Sequence, residues 1–435
     1  MANPALVAHL ARCFASGETT ADRIAERAAE VLGRTWFWLL PLARRYLKEH
    51  KGSTRPKQHD VIRFLLDDGE FRRRANKLSV ARWLMAPQRM QPVPAAATWS
   101  LPELVTAGDL AAWLGVSPGE LDWFADRKGL NARTKRAPLD HYHYRILAKP
   151  RGGLRLIEAP KPRLKEMQRR ILTEILNRIP AHPAAHGFCP GRSIRTFAEP
   201  HVGRSIVLRM DLQDFFPSLP AARIQAVFRT LGYPESVADL LAGACTHRTL
   251  SSVWRAAEPS ISGAELFLAR QLHQSPHLPQ GAPTSPALAN LCAYHADCRL
   301  TGLARHFGAV YTRYADDLAF SFDEPGDVSR FTSYAAAILL EEGFAVNNRK
   351  TRIMTRGRQQ RLAGLVTNAR LNIPRSDFDQ LKATLTNCVR FGPAEQNRAG
   401  VADFRAHLLG RIGFVESIHP GKGRRLRILF DNICW

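Results

Sequence analysis

The sequence predicts an α+β protein with a helical N-terminal extension. Two observations carry this. Apolar residues recur at helical spacing through residues 1–128, and from His141 onward short alternating runs that read as strands are interspersed with amphipathic helical runs. The length of 435 residues, with 45% hydrophobic and 23% charged residues, suits a soluble globular chain of two or three domains.

In the extension, "TTADRIAERAAEVLGR" offers Thr19 and Thr20 as caps, Ile24, Ala28, Val31 and Leu32 as an apolar stripe, and Gly33 as a stop. "TWFWLLPLARRYLKEHKGSTRPK" places Trp36, Phe37 and Trp38 in the core, with Arg44, Arg45, Lys48 and Lys51 able to track phosphate. "VIRFLLDDGEFRRRANKLSVARWL" continues as arginine-rich helix, and "MAPQRMQPVPAAATWSLPE" reads as a linker. "TAGDLAAWLGVSPGELDWFA" then gives a pair of short helices whose apolar positions serve packing.

Residues 129–370 carry the mixed texture. "HYHYRILAKPRGGLRLIEAP" is a hairpin around Pro-Arg-Gly-Gly. "RLKEMQRRILTEILNRI" is a basic amphipathic helix with Met167, Ile171, Ile175 and Ile179 on one face. In the strand "RSIVLRMDL", Ile206, Leu208 and Met210 face one way and Val207, Arg209 and Asp211 the other. "SLPAARIQAVFRTLGY" is a helix with Ser218 as cap, Pro220 in its first turn and Gly232 as stop. Residues 371–435 end in a basic helix, "HPGKGRRLRILFDNICW".

The charge balance narrows the function. Lys+Arg 62 against Asp+Glu 39 gives +23, an excess that a polyanion would neutralise. Because the basic residues are spread along the chain and not gathered in one amphipathic segment, nucleic acid is the expected partner and a membrane is not. The seven cysteines form no CxxC pair and no zinc-type spacing, so free thiols in a reducing cytoplasm are expected. No apolar run reaches membrane-spanning length, and "MANPALVAHLARCF" lacks the apolar core of a secretion signal. His141, His143 and His186 are expected to be structural or to contact RNA.

The run "YTRYADDLAFSF" poses the central question, because it sets Asp316 and Asp317 inside apolar strand sequence. Leu318, Phe320 and Phe322 alternate with small residues as a half-buried strand, so Ala315-Asp316-Asp317 falls at a hairpin turn where both carboxylates can approach one point. Asp211 ends a second apolar strand far upstream. Carboxylates converging from two strand ends suit a pair of magnesium ions, which take carboxylate, water and phosphate oxygens. Asp214 is a weaker candidate that can instead favour helix amides.

These segments resemble the reverse transcriptase family, and the likeness runs through residues 140–435 with its motifs in order. The resemblance implies a right-hand polymerase with fingers and palm at 129–370 and a thumb-like segment at 371–435. "MDLQDFFPS" resembles the first catalytic motif and "YADD" the most recognisable one. Asp211, Asp316 and Asp317 are thereby implied as catalytic metal ligands, the Leu212 carbonyl as an assisting ligand, and two Mg2+ ions, replaceable by Mn2+, as cofactors. Phe216 falls where the family places an aromatic gate against ribonucleotides. "LPQGAPTSPALANL" implies Gln280 and Gly281 at the nucleotide, "GFAVNNRKTRIM" implies Lys350 near the triphosphate, and "RLAGLVTN" resembles the primer grip. The hairpin resembles the fingers segment, implying Lys149, Arg151 and Arg155 as triphosphate contacts for dNTPs. Lys422, Arg424, Arg425 and Arg427 are implied at RNA or the RNA–DNA hybrid.

Within the family, "DHYHYRI", "EAPKPRLKEMQRRIL" and "AAHGFCPGRSIRTFAEPHVG" resemble the bacterial retron enzymes. Their Asn-Ala-x-x-His signature is not evident, the nearest feature being "LAGACTHRTL", and their Val-Thr-Gly triplet appears as Leu362-Ala363-Gly364. The retron resemblance implies a cognate non-coding RNA as template and primer, a branched RNA–DNA product, and an effector protein in anti-phage defence. Two alternatives share the same motifs: a non-retron defence or group II intron-like reverse transcriptase, and an RNA-binding scaffold that restrains an effector.

Overall fold

Two helix starts in the N-terminal region are set by side chains that satisfy backbone amides. In the computed structural model, which describes residues 4–50, 56–82, 89–130, 140–149, 153–255, 263–324 and 326–435, Thr20 caps the helix Ala21–Leu32 by accepting from the Arg23 amide. Gly33 ends that helix at φ 73°, a left-handed conformation that glycine adopts without steric cost. The continuous arginine-rich helix expected further on is broken. Asp68 divides it into Gln58–Asp67 and Gly69–Ala75, its carboxylate accepting from the Glu70 and Phe71 amides. The same carboxylate takes both Nε and Nη2 of Arg45, at 2.8 and 3.1 Å, so this arginine is held by an ion pair in the free chain. Trp38 joins Phe14, Ile24, Tyr46, Phe64 and Phe71 in the core. Phe37 departs from expectation: it is 75% exposed, beneath the Arg74 guanidinium.

The chain divides into two compact units, Met1–Arg89 and Met90–Trp435. The boundary thus precedes the helix pair Ala107–Leu114 and Pro118–Ala125, which the sequence grouped with the extension. Each of these helices opens with a complete capping box, Thr106 with Asp109 and Ser117 with Glu120. Their Leu110, Leu114, Leu121 and Phe124 join the main core of the second unit.

In that unit β1 (Tyr142–Ala148) and β2 (Leu154–Pro160) form an antiparallel hairpin. The strands β3 (Ile206–Asp211), β4 (Val310–Tyr314), β5 (Asp317–Phe322) and β6 (Arg352–Thr355) make an antiparallel sheet in the order β4-β5-β3-β6. The predicted alternation in β3 holds, but both faces are dry. Leu208 and Met210 join the core with Leu318, Phe320 and Phe331, while Val207 and Ala319 join a second core with Leu362, Leu381 and Leu408. Only the end of the strand leaves this sandwich, at Arg209 and Asp211.

Two local expectations change. The helix Ala221–Thr230 begins after Pro220 as its cap, and Ser218 instead donates to the Phe215 carbonyl. The short strands β7 (Arg361–Leu362) and β8 (Leu365–Val366) form a hairpin at the Leu-Ala-Gly triplet, with Ala363 and Gly364 both at positive φ. The C-terminal helices Phe404–Ile418 and Pro420–Asp431 cross closely at Gly423, where a β-carbon would lie 2.5 Å from the Glu416 Cα. No helix among the described residues is long and apolar enough to cross a membrane.

Candidate active site

The turn between β4 and β5 is held from three sides. Ala315 adopts φ 56°, a left-handed backbone that a β-carbon resists by about 1–2 kcal/mol. The Leu212 amide donates to the Asp316 carbonyl at 2.9 Å, joining the turn to the end of β3. Arg313 Nη1 donates to the Ala315 carbonyl at 3.1 Å. Gly187 lies against the turn so tightly that a β-carbon there would be 2.5 Å from the Ala315 nitrogen.

Antiparallel register then sets Asp211 directly opposite Asp317. Lys350 Nζ sits 2.8 and 3.0 Å from the two Asp211 oxygens. Arg209, two residues before Asp211 on the same face of β3, donates Nε and Nη2 to Asp317 Oδ1 at 3.0 and 2.6 Å. Asp316 stands beside both. Burial, then the charges of Asp317 and Asp211, push its carboxyl up to about 6. Burial also raises Asp317, against the opposing effect of Arg209. Three crowded carboxylates, with burial disfavouring the charged forms of Asp316 and Asp317, make an all-oxygen donor set for divalent cations. The Leu212 carbonyl belongs to the same strand end.

The turn rests on a buried charged network that sequence reasoning missed. Asp297 and Arg313 are 0% and 1% exposed. Arg313 donates Nε to Asp297 Oδ1 at 2.8 Å and Nη2 to Oδ2 at 2.6 Å, while Tyr311 donates its hydroxyl to Oδ1 at 2.7 Å. Arg313 Nη1 also donates to Asn290 Oδ1, and Asn290 in turn donates to the Gly187 carbonyl. The network thus grips both the aspartate turn and the segment packed beneath it. Arg209 carried a signal in its shared face with Asp211; the Asp297–Arg313 pairing had none, since it joins a helix to a strand.

The remaining predicted residues are distributed as follows. Phe216 is half-buried, its ring 5.5 Å from Phe215 and 6.2 Å from Phe188. Asp214 does not serve a helix start; it pairs with Lys149 Nζ at 3.4 Å, while the next long helix begins only at Ala221. Lys149 therefore reaches from the hairpin toward the first motif. Arg155 is exposed on β2, and Arg151 lies outside the described residues. The Gln280 carbonyl accepts from the Glu158 amide at 2.9 Å. Gly281, at φ 134°, approaches β2 so closely that a β-carbon would lie 2.9 Å from the Glu158 carbonyl oxygen. In the final helix, Arg424 and Arg425 are exposed. Lys422 instead donates to Asn372 Oδ1 and lies over the Phe378 ring, and Arg427 pairs with Glu416. His186 and His141 are structural, bonded to Thr196 and to the Trp123 carbonyl.

A family model described as "Reverse transcriptase (RNA-dependent DNA polymerase)" matches residues 147–384. The Retron Mx65 reverse transcriptase of Myxococcus xanthus is 41% identical over 337 residues, covering 76% of this chain and 72% of that protein. The Retron Mx162 reverse transcriptase of the same organism is 35% identical, covering 74% and 66%. The Retron Ec86 reverse transcriptase of Escherichia coli is 31% identical, covering 66% of this chain and 79% of its own.

Proposed function

Because the chain belongs to the retron reverse transcriptases and is thus an RNA-directed DNA polymerase, we propose that it copies part of a cognate structured non-coding RNA into single-stranded DNA. The product is a branched RNA–DNA molecule, begun on an internal RNA 2′-hydroxyl, and it serves anti-phage defence together with an effector protein. The observation that carries the polymerase site is Asp211 opposite Asp317, with Asp316 held beside them by the Leu212–Asp316 bond.

Asp211, Asp316 and Asp317, with the Leu212 carbonyl, would hold two magnesium ions. When bound, these supply Lewis-acid activation of the attacking hydroxyl and neutralise charge on the leaving pyrophosphate. Arg209 fixes the Asp317 carboxylate in place. Lys350 neutralises Asp211 in the free protein and faces the triphosphate when a dNTP enters. Lys149, Arg151 and Arg155 bring further positive charge to that triphosphate. Gln280 and Gly281 border the nucleotide, and the Phe216 ring excludes a ribose 2′-hydroxyl. Arg424 and Arg425 meet the RNA or hybrid backbone.

The test uses nucleic acid copurifying with the enzyme expressed from its native locus, digested with RNase, DNase and debranching enzyme. Wild type should yield a short DNA of fixed sequence joined to RNA through a 2′–5′ branch, and Asp316→Ala/Asp317→Ala should yield none. Unbranched, aspartate-dependent DNA would overturn the branched product and leave the polymerase. Undiminished DNA in the double variant would overturn the site.

A further inference from the structure

Behind the hairpin lies a second polar cluster that the polymerase chemistry does not use. Glu158 on β2, His273 at the end of the helix Gly263–His273, and His277 just beyond it are 1%, 7% and 2% exposed. One ligand atom from each lies within 4.8 Å of the others.

The hydrogen bonds fix which atoms face inward. His273 Nδ1 lies 2.8 Å from the Ala269 carbonyl, and His277 Nδ1 lies 2.8 Å from the Ser275 carbonyl. A carbonyl only accepts, so each Nδ1 carries a proton and Nε2 is the ring atom left for a ligand. His277 Nε2 is 3.0 Å from Glu158 Oε2. At that distance the imidazole and the carboxylate are joined by a cation, either a proton on Nε2 or a metal ion held by both groups. The other carboxylate oxygen, Oε1, accepts from Thr249 Oγ1 at 2.6 Å, which fixes its direction. Imidazoles held through Nδ1–H on backbone carbonyls, with an anchored carboxylate, have the outer-shell support typical of metal ligands.

From this geometry we infer that Glu158, His273 and His277 bind a divalent transition-metal ion of the zinc class, separate from the cations of the aspartate site. The donor set decides the class. Two imidazoles and one carboxylate suit zinc, whereas magnesium and calcium take oxygen ligands. Metal–ligand bonds of about 2.0–2.1 Å in a tetrahedral array separate donors by roughly 3.3 Å, close to the 3.0 Å between Glu158 and His277. The site is sealed, with the Trp254 ring 5.3 Å from that of His273. Three protein ligands leave the fourth position to a water molecule, and the burial of all three side chains makes the inferred role structural. The ion would staple β2 to the segment leading into Gln280 and Gly281, alongside the Glu158 amide bond to the Gln280 carbonyl and the backbone bonds between His247 and His277.

The experiment is metal analysis of the full-length chain, purified without a polyhistidine tag or chelating column. Equimolar zinc is expected in wild type and in Asp316→Ala/Asp317→Ala, and less than a tenth of that in His277→Gln and Glu158→Gln. Folding of the last two is checked by circular dichroism. Should they fail to fold, chelator-stripped wild type is titrated with Co2+ in the presence of millimolar Mg2+. Visible absorption of tetrahedral intensity, displaced by zinc, is expected. A chain that is metal-free as purified, and whose stripped form takes up neither Co2+ nor Zn2+, would overturn the inference and leave a proton as the cation between His277 and Glu158. Zinc retained at wild-type level by folded His277→Gln and Glu158→Gln would overturn it equally.

Discussion

The aspartate cluster at the end of β3 and β5 and the Asp297–Arg313 pair behind it handle negative charge in opposite ways. Asp297 is fully buried, yet each of its oxygens receives a donor from Arg313, and one also receives the Tyr311 hydroxyl. Arg313 gives its remaining reach to Asn290 and Ala315. This charge is balanced within the chain. Among the described residues, the basic side chains paired with Asp211 and Asp317 are Lys350 and Arg209, and the carboxyl of Asp316 is pushed up to about 6 by burial and its two neighbours. Charge that builds the fold is closed by the fold, and charge intended for a ligand is left for that ligand to complete.

The largest test of this contrast is removal of one partner from the closed pair. Asp297→Leu leaves Arg313 buried without its counter-charge, a change that costs about 3–5 kcal/mol in comparable sites. The urea midpoint should fall accordingly. Asp297→Leu/Arg313→Met should recover most of that loss, because a well-packed apolar pair replaces a buried ion pair at little cost. DNA synthesis should stay depressed in the double variant, since the Ala315 carbonyl has lost its donor. Full recovery of synthesis would show that Arg313 acts only through stability.

Asp316→Asn should do the reverse, raising stability while abolishing synthesis. The effect depends on pH. The carboxyl moves from an ordinary value of 3.8 up to about 6 on folding, so the native state holds this proton more tightly than the unfolded chain. Its stabilising contribution is complete below about pH 4 and is lost as pH rises through 6. In chelator, the stability of Asp316→Asn relative to wild type should therefore grow between pH 4 and pH 7 by roughly 2–3 kcal/mol. Parallel curves for the two proteins across this range would remove the claimed imbalance.

The same division explains what was legible in the sequence. Periodicity within a segment exposed the helices, the hairpin, β3 and β5, and a turn between two strands placed Asp316 and Asp317. Partnership across segments was not legible. Arg209 meets Asp317 only because β3 and β5 pair in one particular register. Arg313 meets Asp297 only because the helix Tyr294–His306 packs beside β4. His273 and His277 show a spacing, but Glu158 lies 119 residues from His277 and completes the cluster only through the fold. Asp68 was hidden for a different reason: a local capping bond overrides a helical pattern that continues through it.

The final helix offers the contrast at its smallest scale. Four basic residues there look alike in sequence. In the structure Lys422 is engaged by Asn372 and Phe378, and Arg427 by Glu416, while Arg424 and Arg425 are exposed. Arg424→Ala/Arg425→Ala should weaken RNA binding and flatten the dependence of log affinity on log salt by about 0.7–0.9 per residue, as expected for lost phosphate contacts. Lys422→Ala and Arg427→Ala should leave that slope unchanged. They should instead lower thermal stability, each by less than about 1 kcal/mol, the scale of exposed ion pairs and cation–π contacts. Fluorescence anisotropy with a labelled single-stranded RNA across a salt series separates the two pairs. An equal loss of slope from all four positions would mean that RNA draws Lys422 and Arg427 away from their partners, and that a charge closed within the free chain is still open to a polyanion.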